Sequence, residues 1–390
     1  MSDKKRILIV NNNLQLGGIQ KALVNMLRSM PSDYDITLLL FAKQGELLAQ
    51  LPDNVRVIEE SSRFRYLGCS QAECNQKLRR GALAFVTKKW GFSRAVPFLC
   101  VGQRRKRLRE HFDVAISYQH CASSHSFYGG TAEYVLHRVF ATQKVCFIHC
   151  DYQNSGTQNA YNDKIYRAFD RIACVSASVR ERFLRCLPDM ADKCVVAPNA
   201  VMEKNIHDAA KREPYSYDDA YCNILTVARL SGEKGVDRAL RAFAACAPHR
   251  LRYYIVGDGP QATYLRALTK ELALEDVVFF MGATDNPYRY MKNADALLVP
   301  SYHEAAPVVF QEAKVLSLPI LTTDTTSAAE MVGENFGIVC ENSDVAISQL
   351  LQCIATDTAC LRMLREKNKS CQQDTNAQFL GGVREVLRDA

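Results

Sequence analysis

Short apolar runs alternate with longer amphipathic stretches along most of the chain. Residues 6–10, 35–41, 55–58, 113–117, 144–149, 171–175 and 195–197 read as strands. After the first strand come a polar loop, 11–16, and a helix in which Ile19, Leu23, Met26, Leu27 and Met30 recur at helical spacing. A further helix is expected over 177–186. The alternation restarts with strands at 223–228, 251–256, 277–280, 296–299 and 319–322, and helices at 236–246 and 261–272. The tail reads as helical over 343–354, 359–367 and 377–387. Strands alternating with helices predict an α/β chain built on parallel, doubly wound sheets.

A length of 390 residues exceeds what one hydrophobic core usually organises. The pattern divides into a first domain, 1–200, and a second, 222–375, with a closing helix at 376–390 that packs back on the first. Residues 201–221 are polar, lack an apolar period and read as the linker. Composition is that of a soluble globular protein, 48% hydrophobic and 23% charged. The opening MSDKKRILIV has too short an apolar run for a signal peptide, and no window has the unbroken apolar length of a membrane span. The fifteen cysteines are scattered without zinc spacing, and Cys146 and Cys150 read as core thiols, which fits a reducing cytoplasm.

The candidate chemistry gathers at carboxyl ends of strands. In LLVPSYHEAAPVVFQE, a strand runs through a short loop into a helix expected near Pro307, with proline at its first position. Glu304 lies in the loop. Glu312 falls within a stripe of Val308, Val309, Val315 and Leu316, with Gln311 and Lys314 on the polar side. A carboxylate there needs a partner, either a structural ion pair or cap, or a ligand hydroxyl or cation. In VARLSGEKG, Arg229 and Lys234 on one loop suit a diphosphate. Gly17 and Gly18 let backbone N–H groups approach a phosphate or sugar, or simply make a turn. Gly257, Gly259 and Ala262 match a dinucleotide glycine pattern, yet the next strand ends without the carboxylate that would hold ribose; a tight turn near a nucleotide fits better. His149 closes the strand VCFIH and can serve sugar or phosphate, or be a satisfied structural histidine.

These motifs, with His149-Cys-Asp151, IVGDGP and the E-x7-E of Glu304 and Glu312, resemble the retaining nucleotide-sugar glycosyltransferases of family four. The likeness covers both halves and is strongest over 223–332. It implies a GT-B fold, two Rossmann-like domains facing a cleft with the donor in the second. It also implies that Arg229 and Lys234 hold the diphosphate and Glu312 the ribose. Glu304 and the backbone of Ala305, Ala306, Pro307 and Val308 would contact the transferred sugar, and His149 the reacting centre. The chain departs from the family at Ala228, Ala305 and Ala306, where glycine is common. Cationic side chains and a helix N-terminus stabilise a leaving diphosphate without a metal cofactor. The only DxD, Asp33-Tyr34-Asp35, is better explained as a turn. The competing readings are a nucleotide-sugar epimerase of the same fold and a non-catalytic accessory subunit.

The net charge of +7 is local. Residues 76–109 hold eleven Lys and Arg and no acid, leaving 38 basic against 42 acidic residues elsewhere. These cations interleave with Leu83, Phe85, Val86, Trp90, Phe92, Val96, Phe98 and Leu99. That mixture suits an anionic membrane surface, with the enzyme peripheral on the inner face and its acceptor a glycan or lipid-linked saccharide. A helix pair packed on its own domain is the alternative. No nucleic-acid-binding module is recognisable.

Overall fold

The computed structural model describes residues 4–61, 63–70, 73–100, 108, 110–246, 250–371 and 375–388. The chain divides into two compact units, residues 1–200 with 375–390, and residues 201–374. The first unit holds a seven-stranded sheet in the order β3-β2-β1-β4-β5-β6-β7. Its strands are β1 (Lys5–Asn11), β2 (Tyr34–Leu40), β3 (Val55–Glu59), β4 (His111–Ser117), β5 (Phe140–Ile148), β6 (Arg171–Cys174) and β7 (Cys194–Val196). The second holds six strands in the order β10-β9-β8-β11-β12-β13. These are β8 (Cys222–Val227), β9 (Leu251–Val256), β10 (Val278–Gly282), β11 (Ala296–Val299), β12 (Ile320–Thr323) and β13 (Gly337–Cys340). All strand pairs are parallel. Both sheets step outward from a central strand and then reverse, so each has a switch point, β1/β4 in one and β8/β11 in the other.

The physical cause of this layering is visible in the second unit. Ile224, Tyr253, Ile255 and Leu298 point into one core, while Leu225, Tyr254, Val256 and Leu297 point into another. Strands buried on both faces read as continuous apolar runs, as β11 does with ALLV wholly buried.

Several elements differ from the sequence expectation. Residues 201–221, read as a linker, contain the helix Glu203–Ala210, which docks Ile206 and Ala210 into the second core beside Val201. So few apolar residues on one face left little period to read. Strand β13 (GIVC) and the helices Thr131–Arg138, Ala160–Arg167 and Ala328–Phe336 were also not read from the sequence. The last helix, Thr375–Leu387, packs against β6 and β7. Gly382 permits that approach, since a Cβ there would lie 2.8 Å from Val196 O.

Candidate functional site

The loops after β8 and β11 flank the switch point of the second sheet and are tied together by backbone. Tyr302 N–H donates to Glu233 O at 2.9 Å. Gly235, at φ +62°, allows the first loop to press on the second, because a Cβ there would sit 2.2 Å from Pro300 O. Behind them Arg238, almost fully buried, donates to Asp344 at 2.6 Å and to Asn342 at 2.8 Å, and its guanidinium lies over the Tyr302 ring. A buried cation satisfied in this way fixes the loop bases.

On that platform Lys234 Nζ donates to Glu304 Oε1 at 2.6 Å, and Ser301 Oγ donates to the same oxygen at 3.0 Å. The pair is partly enclosed, with Lys234 25% and Glu304 11% exposed. Two residues read from sequence as separate contacts, one for diphosphate and one for sugar, are therefore one unit here. Arg229 differs: its side chain is exposed and makes no hydrogen bond or ion pair with the described residues.

The helix Val308–Val315 starts one residue later than expected, with Pro307 as its N-cap. No side chain caps its N-terminus and its first turn carries no acid, so its amide dipoles are available to an anion. Ala305 and Ala306 are half-buried in the approach to it. The apolar stripe needs correction. Phe310 and Ala313 are the residues fully in the core, with Val309, Val315 and Leu316 packed at its margin. Lys314, assigned to the polar side, instead lies 4.2 Å from the Phe336 ring centre, and burial pulls its pKa down to about 8. The helix is covered nearly all round. Glu312 is buried as expected, at 4% exposure, and accepts from Tyr288 OH at 3.0 Å. Sequence reasoning missed Tyr288, which lies 24 residues earlier in the chain.

Gly257 and Gly259 serve the protein's own backbone. At Gly257, φ +138°, a Cβ would meet Ala228 O at 1.9 Å; at Gly259 it would meet Leu230 O at 2.5 Å. Leu230 N–H also donates to Asp258 O at 2.9 Å. The glycine turn thus clamps the base of the Arg229 loop, which accounts for both glycines without a ligand.

In the first unit, Gly17 and Gly18 are exposed beyond the end of β1. Gly17 is the N-cap of helix Gly18–Ser29 and lacks a capping side chain. His149 stands one residue past β5, its ring stacked at 5.7 Å on Phe147 and 4.9 Å from Tyr118. Burial, then the neighbouring His120, press its pKa down to about 3, against a backbone hydrogen bond with Tyr118. His149 is therefore a neutral imidazole, and its enclosed Nε2 has no partner among the described residues. His120 interacts with Cys150, which raises the imidazole above its ordinary value. Burial opposes charge on both, but the imidazole holds the thiol below its ordinary value.

Part of the basic segment can be placed. Arg104, Arg105, Lys106, Arg107 and Arg109 lie outside the described residues. Helix Lys77–Trp90 carries Leu78, Phe85 and Trp90 exposed at 92%, 59% and 56%, while Phe92, Val96 and Leu99 of the next helix, Phe92–Cys100, are buried. At about 100° per residue Leu78, Ala82, Phe85 and Lys89 share one solvent-facing line. Lys89 Nζ lies over both the Phe85 and Trp90 rings. No helix among the described residues is long and apolar enough to cross a membrane.

Residues 209–370 match the family described as glycosyl transferases group 1. A curated relative from Campylobacter jejuni, an N-acetylgalactosamine-N,N'-diacetylbacillosaminyl-diphospho-undecaprenol 4-alpha-N-acetylgalactosaminyltransferase, is 31% identical over 51% of this chain and 52% of its own. The lipopolysaccharide glucosyltransferase WaaG of Escherichia coli is 32% identical over 39% of this chain and 42% of its own. The chain thus matches about half the length of these relatives or less. Over whole chains, the crystal structure of Anabaena Alr3699/HepE in complex with UDP superposes with a TM-score of 0.68 at 16% identity, covering 98% of this chain and 99% of that one. A crystal structure of WaaG gives 0.63 at 17% identity, covering 97% and 99%. The likeness establishes a GT-B fold of two Rossmann-like units.

Proposed function

We propose that the second unit is a group 1 glycosyl transferase domain and that the chain transfers a sugar, with retention, from a nucleotide diphosphate sugar to a cell-surface glycan or lipid-linked saccharide. The observation that carries this reading is the joining of Lys234 and Glu304 at the β8/β11 switch point, beside exposed Arg229 and the uncapped helix that holds Glu312. Open Rossmann-type sheets bind their ligands at that edge. Glu312, oriented by Tyr288, accepts the ribose hydroxyls. Arg229 and the amides at Val308 face the diphosphate. Lys234 both orients Glu304 and adds positive charge near the leaving group.

The chemistry follows from these charges. As the glycosidic bond to the diphosphate lengthens, negative charge grows on the leaving oxygen and positive charge on the sugar ring. Preorganised cations and a helix N-terminus stabilise the first. The Glu304 carboxylate stabilises the second or holds a sugar hydroxyl. This arrangement supplies the needed charge without a divalent ion.

A solved neighbour holds UDP, so a UDP-sugar is the first donor to try, with GDP-mannose next. The acceptor reading draws on relatives whose names specify a diphospho-undecaprenol saccharide and a lipopolysaccharide. The exposed Leu78, Phe85 and Trp90 among Lys77, Arg79, Lys88 and Lys89 fit an anionic membrane surface met from the cytoplasmic side. A thermal-shift screen of UDP-, GDP- and ADP-sugars tests the function. A ligand that binds only the native state raises the melting temperature, and no shift with any of the three would reject the proposal.

A further inference from the structure

The first unit carries a cavity of about 400 Å³ whose lining includes Arg63, Arg65, Arg79, Gln44, Gln76 and Glu73. Arg63 and Arg65 belong to the short 3-10 turn Arg63–Leu67, and Arg79 to the first turn of helix Lys77–Trp90. The turn is anchored by its apolar members. Phe64 is fully buried between Phe41 and Tyr134, and Leu67 is buried beside it, so the arginines are carried on a fixed base.

Most of the guanidinium capacity there is uncommitted. Arg63 Nη1 donates to Phe98 O at 2.8 Å, and Arg79 Nη1 to Gln76 Oε1 at 3.1 Å. Neither has a carboxylate partner among the described residues. Arg65 lies 3.4 Å from Glu59, a half-exposed contact that solvent screens. Glu73 is the one acid among the described lining residues. Its carboxylate accepts from Ser70 N–H at 2.8 Å and from Gln44 at 3.2 Å, contacts that hold its pKa below the usual range. The first turn of helix Lys77–Trp90 contains no acid and adds partial charge of the same sign as the arginines. Several guanidinium forks around one opening, held by separate elements, match a multiply charged tetrahedral oxyanion better than a sugar hydroxyl.

We propose that this cavity binds the phosphoryl group of a lipid-borne acceptor, with the lipid tail lying along the apolar line of helix Lys77–Trp90. One helix supplies both parts: Arg79 lines the cavity, and its neighbour Leu78 is almost fully exposed. This inference rests on the acceptor reading of the proposed function and assigns a place and a charge to it.

Trp90, the only tryptophan, lies half-exposed at the far end of the same helix and reports on binding by its fluorescence. The full chain is titrated with farnesyl diphosphate, inorganic diphosphate and farnesol, and in parallel with UDP. Farnesyl diphosphate should bind more tightly than either fragment. Arg79→Gln, and Arg63→Gln with Arg79→Gln, should weaken both diphosphates, the double variant by about tenfold or more, since charge-assisted contacts are lost. Farnesol and UDP affinity should hold, and an unchanged melting temperature verifies the fold. Unchanged farnesyl diphosphate affinity in both variants overturns the cavity while UDP binding keeps the transferase reading. Equal affinity for farnesyl and inorganic diphosphate overturns the lipid-borne source. If UDP and UDP-sugars fail to bind while the arginine variants still lose farnesyl diphosphate, the transferase reading fails and the anion site stands.

Discussion

Lys234 and Glu304, 70 residues apart in sequence, meet at 2.6 Å across the two loops that flank the β8/β11 switch point. The contact couples the cation and the carboxylate on which the proposed transfer depends. Lys234→Ala and Glu304→Ala should each lower turnover by at least about tenfold, or about 1.4 kcal/mol of barrier. The double variant should lose less than the product of the two, as expected of residues in direct contact. A steady-state double-mutant cycle measures this. Fully multiplicative losses would mean that the pair does not act as a unit.

Catalysis should survive EDTA. In the proposed reaction Arg229, Lys234 and the N-terminus at Val308 provide the positive charge that a divalent ion supplies elsewhere. Activity abolished by EDTA and restored by manganese would contradict the proposed leaving-group stabilisation.

The strands were largely legible because strands buried on both faces announce themselves as apolar runs, and twelve of the observed strands were anticipated, whereas their order in each sheet was not read. The burial of Glu312 was legible because a charge interrupts an apolar helical stripe. Contacts between distant residues were not: nothing near Lys234 marks Glu304 as its partner, and Tyr288 gives no local sign that it serves Glu312. Gly257 looked like a nucleotide turn because glycine's absence of a Cβ serves a ligand and a neighbouring backbone alike. Here the neighbour is Ala228. Helix Glu203–Ala210 was hidden because tertiary packing, more than periodicity, holds it.

A buried carboxyl in the first unit gives the fold a pH dependence separate from catalysis. Glu133 is 2% exposed, accepts from Tyr161 OH at 3.2 Å, and has an enclosed Oε2 without a partner among the described residues. Burial, against the hydrogen bonds that favour the charged form, raises its pKa to about 7. The folded state therefore binds the proton more tightly than the unfolded chain. Stability from this group is present below the ordinary carboxyl value and is lost as pH rises through 7. Glu133→Gln should raise the melting temperature at pH 8, through a gain in stability on the order of 1 kcal/mol or more, and change it much less at pH 4. Equal effects at both pH values would contradict the shift.

Helix Lys77–Trp90 should bind vesicles in a charge-dependent way. Phe85→Ser with Trp90→Ser, or Lys88→Glu with Lys89→Glu, should each reduce co-sedimentation with anionic vesicles, each cation contributing about 1 kcal/mol near the surface. Binding indifferent to lipid charge, or unaltered by both pairs of substitutions, would leave the helix with a packing role alone.

The central claim is that the second unit binds the nucleotide sugar through Glu312 and the Lys234 loop, and calorimetric titration of UDP tests it most directly. The wild type should bind UDP. Glu312→Gln and Lys234→Ala should weaken that binding by about tenfold, and Tyr288→Phe less, since Tyr288 only orients the carboxylate. Arg79→Gln, in the other unit, should leave it unchanged. UDP affinity identical in the wild type and in the Glu312 and Lys234 variants would contradict the account.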